Sequence, residues 1–285
     1  MKAPSGPPKN LICRSHELEA RIRDLYNTWF SEDSRLVLSL DSELIFAHEA
    51  GLLAKYFPAL PHGRQFAAPS VKEMLIRPPE SVLTFYFWKR LPNLLSDLLL
   101  LEEVSSCLLG HPSILRRGPC FSNPDLTGVR YEFPKACHPE IWLEEVRANA
   151  SRTDSALLNA WMAMATLVMR HPFQDGNGRT GRAVFYSVLA DSGLIGAPCL
   201  GLAVVSKIQG GALVEQYRML GLAGSWAEFC EFAVVITELC CNTVSHIMEH
   251  KSCLTYPTLL AKSSSSAPAP SAAMRLSTGA STGAG

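Results

Sequence analysis

The chain has 285 residues, of which 26 are Lys or Arg and 26 are Asp or Glu, so its formal net charge is zero. This balance lacks the overall positive charge typical of general nucleic-acid binders, and we expect no nucleic-acid partner. Hydrophobic residues make up 47% and charged residues 18%, a globular rather than a disordered composition. No uncharged stretch exceeds 15 residues, and residues 192–206, one of this length, are interrupted by Gly196 and Pro198. A membrane helix needs about 20 apolar residues, so we expect no membrane span.

The nine cysteines are scattered through apolar segments and form no C-x-x-C pair. This pattern favours buried free thiols in a reducing compartment over a disulfide framework. The N-terminal residues lead into prolines and a glycine instead of the apolar region of a secretory signal. We therefore expect a cytoplasmic protein, although flexible ends would also suit a secreted effector that acts in a host cell.

Both ends of the chain have a biased composition. Residues 1–10 are rich in Pro, Gly and Ser, and residues 257–285 are rich in Ser, Ala, Pro and Gly. Such segments cannot bury enough apolar surface to become ordered, so we expect a disordered lead and a disordered tail. Between them we predict an N-terminal helical region at 11–99 and a main domain at 100–256.

The first half of the chain shows mostly helical periodicity. Apolar residues recur at helical spacing over 16–29. The long apolar segment 82–101 contains Pro92, which predicts two core helices that meet at a kink. Residues 115–133 differ, because turn signals separate short runs of extended character. They predict a small β-hairpin.

The second half contains three further predicted helices. Asp154 could cap a helix over 155–170, and a second helix over 178–191 would stop at Gly193. Residues 228–249 form the third. The expected fold is therefore mainly α with one β-hairpin.

Residues 171–182 read H-P-F-Q-D-G-N-G-R-T-G-R and lie between two predicted helices. A loop with Gly176 and Gly178 that opens a helix exposes consecutive backbone N–H groups at the positive end of the helix dipole. Arg179 and Arg182 are three residues apart, so both can reach one polyphosphate. The segment therefore predicts an anion-binding loop.

Three other residues of this loop have chemical or structural roles that fit a phosphate site. Asp175 offers an oxygen ligand for Mg²⁺ at the loop mouth. His171, four residues earlier, can act as a general base. Phe173 is expected to anchor the loop in the core. Each of these residues alone has an ordinary structural explanation, but their combination in this order favours catalysis.

Residues 171–182 resemble the signature of the Fic family, H-x-F-x-[D/E]-G-N-G-R-x-x-R, and match all eight specified positions. Residues 116–119 and 128–134 also resemble the family's flap hairpin, and 141–146 the short helix that follows. The resemblance maps over roughly 100–245. It implies a Fic-type helical bundle with one β-hairpin flap next to the active-site loop, so that the domain at 100–256 would be a Fic domain.

The resemblance further implies a protein adenylyltransferase, which moves AMP from ATP to a Ser, Thr or Tyr hydroxyl of a target protein and releases pyrophosphate. His171 would deprotonate the hydroxyl, and Asp175 would hold Mg²⁺ against the phosphates. The phosphates themselves would be bound by the loop and the first helical turn, through Gly176, Asn177, Gly178, Arg179 and Arg182.

Other activities stay open at this point. Some relatives transfer phosphate, UMP or phosphocholine, and kinase-type members carry Lys where this chain has Gly178; the glycines at 176 and 178 favour AMP. A non-catalytic module that binds a partner through the hairpin is a further alternative. In either case we expect the flap, through Val129 and Tyr131, to dock the target by strand addition.

Many Fic proteins are inhibited by a glutamate in an [S/T]-x-x-x-E-[G/N] motif, which pairs with the last arginine of the signature. Two segments match in part: 39–44, which contains Glu43, and 245–250, which contains Glu249. Both lack the final Gly or Asn. We favour Glu249, because its helix directly follows the segment that closes the domain. Glu43 is the alternative within the chain, and inhibition by an antitoxin-like partner protein, or no inhibition at all, stays open.

Overall fold

Helices account for most of the computed structural model, in agreement with the helical periodicity of the sequence. The structure describes residues 6–31, 34–49, 51–53, 84, 86–122, 130–209 and 211–250. The chain divides into two units, 1–249 and 250–285, and the packing described below lies within the first.

In chain order the described helices are α1 (Lys9–Trp29), α2 (Ser34–Glu49), a 3₁₀ helix (Trp88–Asn93), α3 (Leu98–Leu109), α4 (Pro139–Ala150), α5 (Ala156–Arg170), α6 (Asn177–Asp191), α7 (Leu202–Ile208), α8 (Gly211–Ala223) and α9 (Trp226–His250). None of the helices in the described ranges combines the length and the apolar character that a membrane span requires.

The predicted helices α1, α5, α6 and α9 are present, with one correction to a cap. Ser155, not Asp154, caps α5, because the Ser155 hydroxyl accepts a hydrogen bond from the Leu158 N–H (3.1 Å). Asp154 lies outside the cap, with 75% of its side chain exposed. Gly193 ends α6 as predicted, since its φ of +70° lies in the left-handed region that suits glycine.

The segment around Pro92 does not form two core helices that meet at a kink. Pro92 lies inside the 3₁₀ helix, and the next α-helix begins only at Leu98. Asp97 provides the start, because its carboxylate accepts a hydrogen bond from the Leu99 N–H (2.9 Å). Residues 82, 83 and 85 of the predicted segment lie outside the described residues.

The core is centred on α5 and α6, which cross closely. A Cβ at Gly181 on α6 would come within 2.9 Å of the Val168 side chain on α5, so only glycine allows this approach. Trp161 is fully buried, packs edge-on against Phe185 (5.2 Å) and donates from its indole to the Thr237 hydroxyl (2.9 Å). The loop 171–176 connects these two helices, so the core holds both of its ends.

The predicted hairpin at 115–133 is not confirmed as a regular β-structure. Phe133 N–H donates to the Cys120 carbonyl (3.0 Å) and Ser122 N–H to the Tyr131 carbonyl (2.8 Å), which is a short antiparallel pairing. Leu115 instead forms an antiparallel bridge with Phe173. The N-terminal part therefore pairs with the loop between α5 and α6. We call residues 115–122 and 130–134 the flap; residues 123–129 lie outside the described residues.

The predicted domain boundaries stay predictions. One hydrophobic core contains buried side chains from Leu11 on α1 to Met248 on α9. Helix α1 already begins at Lys9, inside the predicted lead 1–10. The predicted tail, 257–285, lies outside the described residues.

Candidate active site

The signature loop (residues 171–176) begins at the C-terminal end of α5, where the chain must turn sharply. His171 makes this turn with φ 49° and ψ 54°, and no other non-glycine residue in the described part of the chain has a positive φ. Its N–H still donates to the Leu167 carbonyl (3.0 Å). A left-handed conformation at a residue other than Gly costs free energy and is often found at functional sites.

The imidazole of His171 is held in a partly buried position. The Phe133 ring stacks on it with centroids 3.9 Å apart and an angle of 21°. Burial lowers the pKa of His171 to about 4, and the positive charge of Arg116 acts in the same direction, against the Val168 carbonyl and the Asp175 carboxylate, which raise it. The imidazole is therefore neutral at pH 7, which is the form of a general base.

The two ring nitrogens of His171 differ in their surroundings. Nδ1 is buried and has no partner in hydrogen-bond geometry among the described residues. The Val168 carbonyl, on the last turn of α5, is near enough to raise the pKa of His171 but does not have the geometry of a hydrogen bond to Nδ1. Nε2 is then the nitrogen that can accept a proton from an incoming group.

Asp175 is oriented by its neighbours while its carboxylate stays accessible. The Gly176 N–H donates to Asp175 Oδ1 (2.6 Å), and Arg179 lies 3.5 Å from Oδ2. About two thirds of the Asp175 side chain is exposed, 65%. Arg179 also donates to the Leu108 carbonyl (2.9 Å) at the end of α3. The structure thus gives Arg179 an anchoring role, and its predicted contact with phosphate stays a prediction.

Asn177 closes the signature loop from within. Its side-chain oxygen accepts from the Phe173 N–H (3.0 Å), and its amide donates to the Phe173 carbonyl (2.8 Å). Asn177 is 2% exposed and Phe173 is fully buried, so the predicted anchor is present. Since the Asn177 side chain is occupied in this way, an anion would have to bind to main-chain N–H groups.

The start of α6 leaves such groups available. No side chain caps this helix at Gly176, and the first N–H groups of any helix lack intrahelical acceptors. Gly176 has φ +83°, and a Cβ there would lie 2.9 Å from the Leu109 side chain. A Cβ at Gly178 would meet only the Arg182 guanidinium, at 3.7 Å. The Arg182 cation therefore lies beside the first turn, where anion-binding donors and positive charge coincide.

Comparison with known proteins identifies this loop. Residues 101–189 match the model of the Fic/DOC family. Over these residues the chain is similar to a Fic-family domain, and we call this region the Fic domain. Members of this family transfer nucleotide or phosphate groups.

A solved structure supports the Fic fold. The chain is similar to a Fic family protein from Desulfovibrio desulfuricans G20, with 16% identity and a TM-score of 0.58, over 88% of this chain and 78% of that one. It is also similar to a fragment of Fic-1 from C. elegans, with 15% identity and a TM-score of 0.47, over 84% and 73%. At these identities the likeness concerns the fold alone. No curated protein matches the sequence.

The flap packs against the body of the Fic domain, and its predicted docking role stays a prediction. Tyr131 is half-buried, packs edge-on against Phe133 (5.3 Å), and its hydroxyl lies 2.8 Å from the position of a Cβ at Gly221 on α8. Tyr131 therefore contacts the body of the domain. Val129 lies outside the described residues, so its predicted docking role is a prediction only.

Two residues of the Fic domain that contact the base were not predicted. Phe133 stacks on His171, and Arg116 donates to the His171 carbonyl (2.8 Å). The alternation of residues 129, 131 and 133 along an extended segment could have indicated Phe133. The sequence does not show that Arg116 contacts the base, because its partners at the end of α5, Arg170 and His171, are 54 and 55 residues away.

The structure does not bring Glu249 close to Arg182. The charge of Arg182 acts on Tyr217, and Tyr217 stacks on Phe229 (5.7 Å), near the start of α9. Glu249 follows Phe229 by 20 residues on the same helix, which is about 30 Å at 1.5 Å per residue. Its exposed side chain is therefore at the opposite end of α9, and the preference for Glu249 has no support in the geometry.

Glu43 lies on α2, whose residue Asp41 is near α6. Glu43 is 5% exposed. Burial, and after it the charge of Asp41 on the same helix, raises the pKa of Tyr186. Tyr186 follows Arg182 by one turn of α6, so the two residues share a face. Helix α2 thus places Asp41 near Tyr186, whereas Glu43 lies two residues further along α2, and its contact with Arg182 stays a prediction.

Proposed function

We propose that the Fic domain is a protein adenylyltransferase, which transfers AMP from ATP to a Ser, Thr or Tyr hydroxyl of a target protein. The observation that carries this proposal is the neutral imidazole of His171, four residues before Asp175 and one loop before the N-terminus of α6. A base, an accessible carboxylate, the N–H groups at the start of α6 and the Arg182 cation would then act at one reaction centre.

In the proposed reaction His171 acts on the acceptor. Nε2 takes the proton of the hydroxyl while the hydroxyl oxygen forms a bond to the α-phosphorus of ATP. The bond between that phosphorus and the bridging oxygen breaks, and pyrophosphate leaves with the electron pair. Such a displacement needs alignment and charge neutralisation more than covalent help from the protein. The main-chain N–H groups of Asn177 and Gly178 and the guanidinium of Arg182 would neutralise the phosphates.

The donor set of the loop fits Mg²⁺. Asp175 presents an exposed, oriented carboxylate, and Mg²⁺ typically takes one or two carboxylates together with phosphate oxygens and waters. In the described ranges no group of three potential metal-ligating side chains is present, which suits an ion shared with the nucleotide. Asp175 would hold this ion, which would neutralise phosphate charge.

The proposal is tested by incubating the purified chain and candidate target proteins with ATP, UTP, GTP or CDP-choline, followed by mass spectrometry. We expect addition of AMP to a hydroxyl with ATP and Mg²⁺. Addition of UMP or phosphocholine would instead identify UTP or CDP-choline as the donor. Absence of transfer from every donor, with a target still captured, would favour the non-catalytic binding module.

We further propose that Glu43 acts as an inhibitor by competing with the γ-phosphate for Arg182. Glu43→Gly should raise automodification several-fold, whereas Glu249→Gly serves as the matched control and should leave it unchanged. A rise in the Glu249 variant alone would contradict the proposal. If neither variant changes the rate of automodification, neither glutamate is an inhibitor, and an antitoxin-like partner would be the source of inhibition.

A further inference from the structure

Arg116 is a buried arginine whose four hydrogen bonds all go to main-chain carbonyls. It is 8% exposed. Its guanidinium donates to the carbonyls of Arg170 (3.1 Å) and His171 (2.8 Å) at the end of α5. It also donates to Gly118 (3.1 Å), two residues further along its own segment of the flap, and to Pro134 (2.6 Å), at the end of the other segment. One side chain therefore joins both segments of the flap to the end of α5.

The first pair of bonds stabilises the unusual backbone of the base. The last carbonyls of a helix have no intrahelical donors, and a cation is favourable at this end of the helix dipole. His171 follows α5 in a left-handed conformation, which fixes the direction of its side chain. By holding the carbonyls of Arg170 and His171, Arg116 stabilises that conformation.

The second pair of bonds fixes the residue that packs on the base. Pro134 directly follows Phe133, whose ring lies 3.9 Å from the imidazole. Gly118 is on the other side of the flap, close to Cys120, which accepts from the Phe133 N–H. Arg116 thus sets the position of the flap relative to the same imidazole whose backbone it holds.

We propose that Arg116 is a positioning residue that locks the flap and the His171 imidazole together, so that a hydroxyl delivered along the flap meets a base already in place. The catalytic part of this role rests on the transfer function proposed above; the lock itself does not. A planar fork with several donors can reach three segments at once, whereas the Lys ammonium is a point charge with three donors and cannot reproduce this arrangement.

The test compares Arg116→Lys with a matched control, Arg147→Lys. Arg147 on α4 also donates to main-chain carbonyls, those of Leu95 (2.6 Å) and Ser96 (3.1 Å), but away from the flap and the base. We expect Arg116→Lys to lower kcat of transfer by about 10–100-fold with the Kd of ATP within about twofold, since a displacement of about 1 Å has effects of this size. Arg147→Lys should keep kcat within about twofold.

A second readout needs no activity. Because Phe133 stacks on the imidazole, its ring current should shift the Cε1–H resonance of His171, which is assigned by its loss in His171→Asn. In Arg116→Lys the resonance should move toward its position in Phe133→Leu, and in Arg147→Lys it should stay. A folded Arg116→Lys protein with an unchanged resonance overturns the lock. A moved resonance in a chain that transfers nothing leaves the lock standing and refutes the proposed function instead.

If Arg116→Lys fails to fold, Phe133→Leu tests the flap side of the lock with Arg116 intact. It should lower kcat in the same way while ATP binding stays unchanged. Wild-type kcat in Phe133→Leu would overturn the proposal. Where both variants fold, the double variant should lose less than the product of the two single losses, because both act through one contact.

Discussion

The signature loop and the flap meet at His171 but differ in the range of their side-chain contacts. In the loop, Asn177 pairs with Phe173 and Arg179 with Asp175, four residues apart in each case. The loop backbone also pairs with residues 114–116 of the flap side. In the flap, the decisive contacts span long separations, such as Arg116 with the His171 carbonyl or Phe133 with the His171 ring.

The difference implies a division of labour. A loop closed by its own side chains keeps one shape, as nucleotide and metal binding require. The flap is joined to the base through Arg116 and Phe133 and contains none of the signature residues. We therefore expect changes in the loop to affect chemistry and stability, and changes in the flap to affect the protein acceptor.

The largest effect is expected at the residue where the two regions meet. His171→Ala should lower the rate of AMP transfer by at least about 10²–10⁴-fold, the usual contribution of a general base. Binding of ATP should change little, because the base acts on the incoming hydroxyl. Calorimetric titration of ATP and a single-turnover transfer assay measure the two quantities. Near-wild-type transfer in this variant would exclude His171 as the base.

The buried imidazole also predicts how stability depends on pH. The pKa of His171 is about 4 in the folded chain, below the ordinary value of 6.5. As the pH falls below 6.5, His171 binds a proton in the unfolded chain but not in the folded chain. The free energy of unfolding therefore decreases until the pH reaches about 4. Between pH 7 and pH 5 this loss should amount to about 2 kcal/mol.

Urea unfolding of wild type and His171→Asn at several pH values isolates this effect, because the other titrating groups are common to both proteins. His16, whose pKa is raised chiefly by its hydrogen bond with Glu19, then cancels from the comparison. The difference in free energy of unfolding between the two proteins should change in this pH range. Parallel curves would show that His171 titrates normally.

Two glycines of the loop region offer a matched pair. Gly176→Ala places a Cβ at φ +83° and 2.9 Å from the Leu109 side chain, which should destabilise the fold by about 1–3 kcal/mol. In Gly178→Ala the new Cβ has ordinary space, 3.7 Å from Arg182, so stability should be unchanged or slightly higher. Thermal unfolding compares the two variants. Equal losses would contradict the geometry of the helix start.

Sequence reasoning reached the loop because its determinants are local. The spacing from His171 to Arg182 predicts the helix end, the glycine turn and the helix start, and Phe173 is buried as expected. The same reasoning favoured Glu249 over Glu43, because the sequence does not show which end of α9 lies near Arg182. In the structure Tyr217 and Phe229 place the start of α9 there, and Glu249 is at the other end.

The sequence predicted the position of the flap but not its backbone pairing. Turn signals at 115–133 indicate a hairpin, yet Leu115 pairs with Phe173 rather than with the other side of the flap. Backbone pairing of this kind depends on where the tertiary fold brings two segments together, and propensity carries no such information. Arg116 is a similar case, because nothing in a run of two arginines shows which one is buried.

The smallest effect is expected in the flap, where a change at Tyr131 should affect transfer to the protein acceptor but not the binding of ATP. Tyr131 N–H donates to the Ser122 hydroxyl (2.8 Å), and its ring packs against Phe133. Tyr131→Pro removes both contacts, so transfer to a protein target should fall about tenfold, the equivalent of roughly 1.4 kcal/mol. The Kd of ATP should stay within about twofold, since the loop and the start of α6 are intact.

Tyr131→Phe is the control for this change, because it keeps the ring contact and the backbone N–H and should transfer AMP at nearly the wild-type rate. Val129→Pro extends the same test to the other predicted docking residue. Both proline variants are assayed for transfer to protein and for ATP binding by titration. If proline at 131 weakens both equally, the flap supports the nucleotide site itself, and the division of labour between loop and flap does not hold.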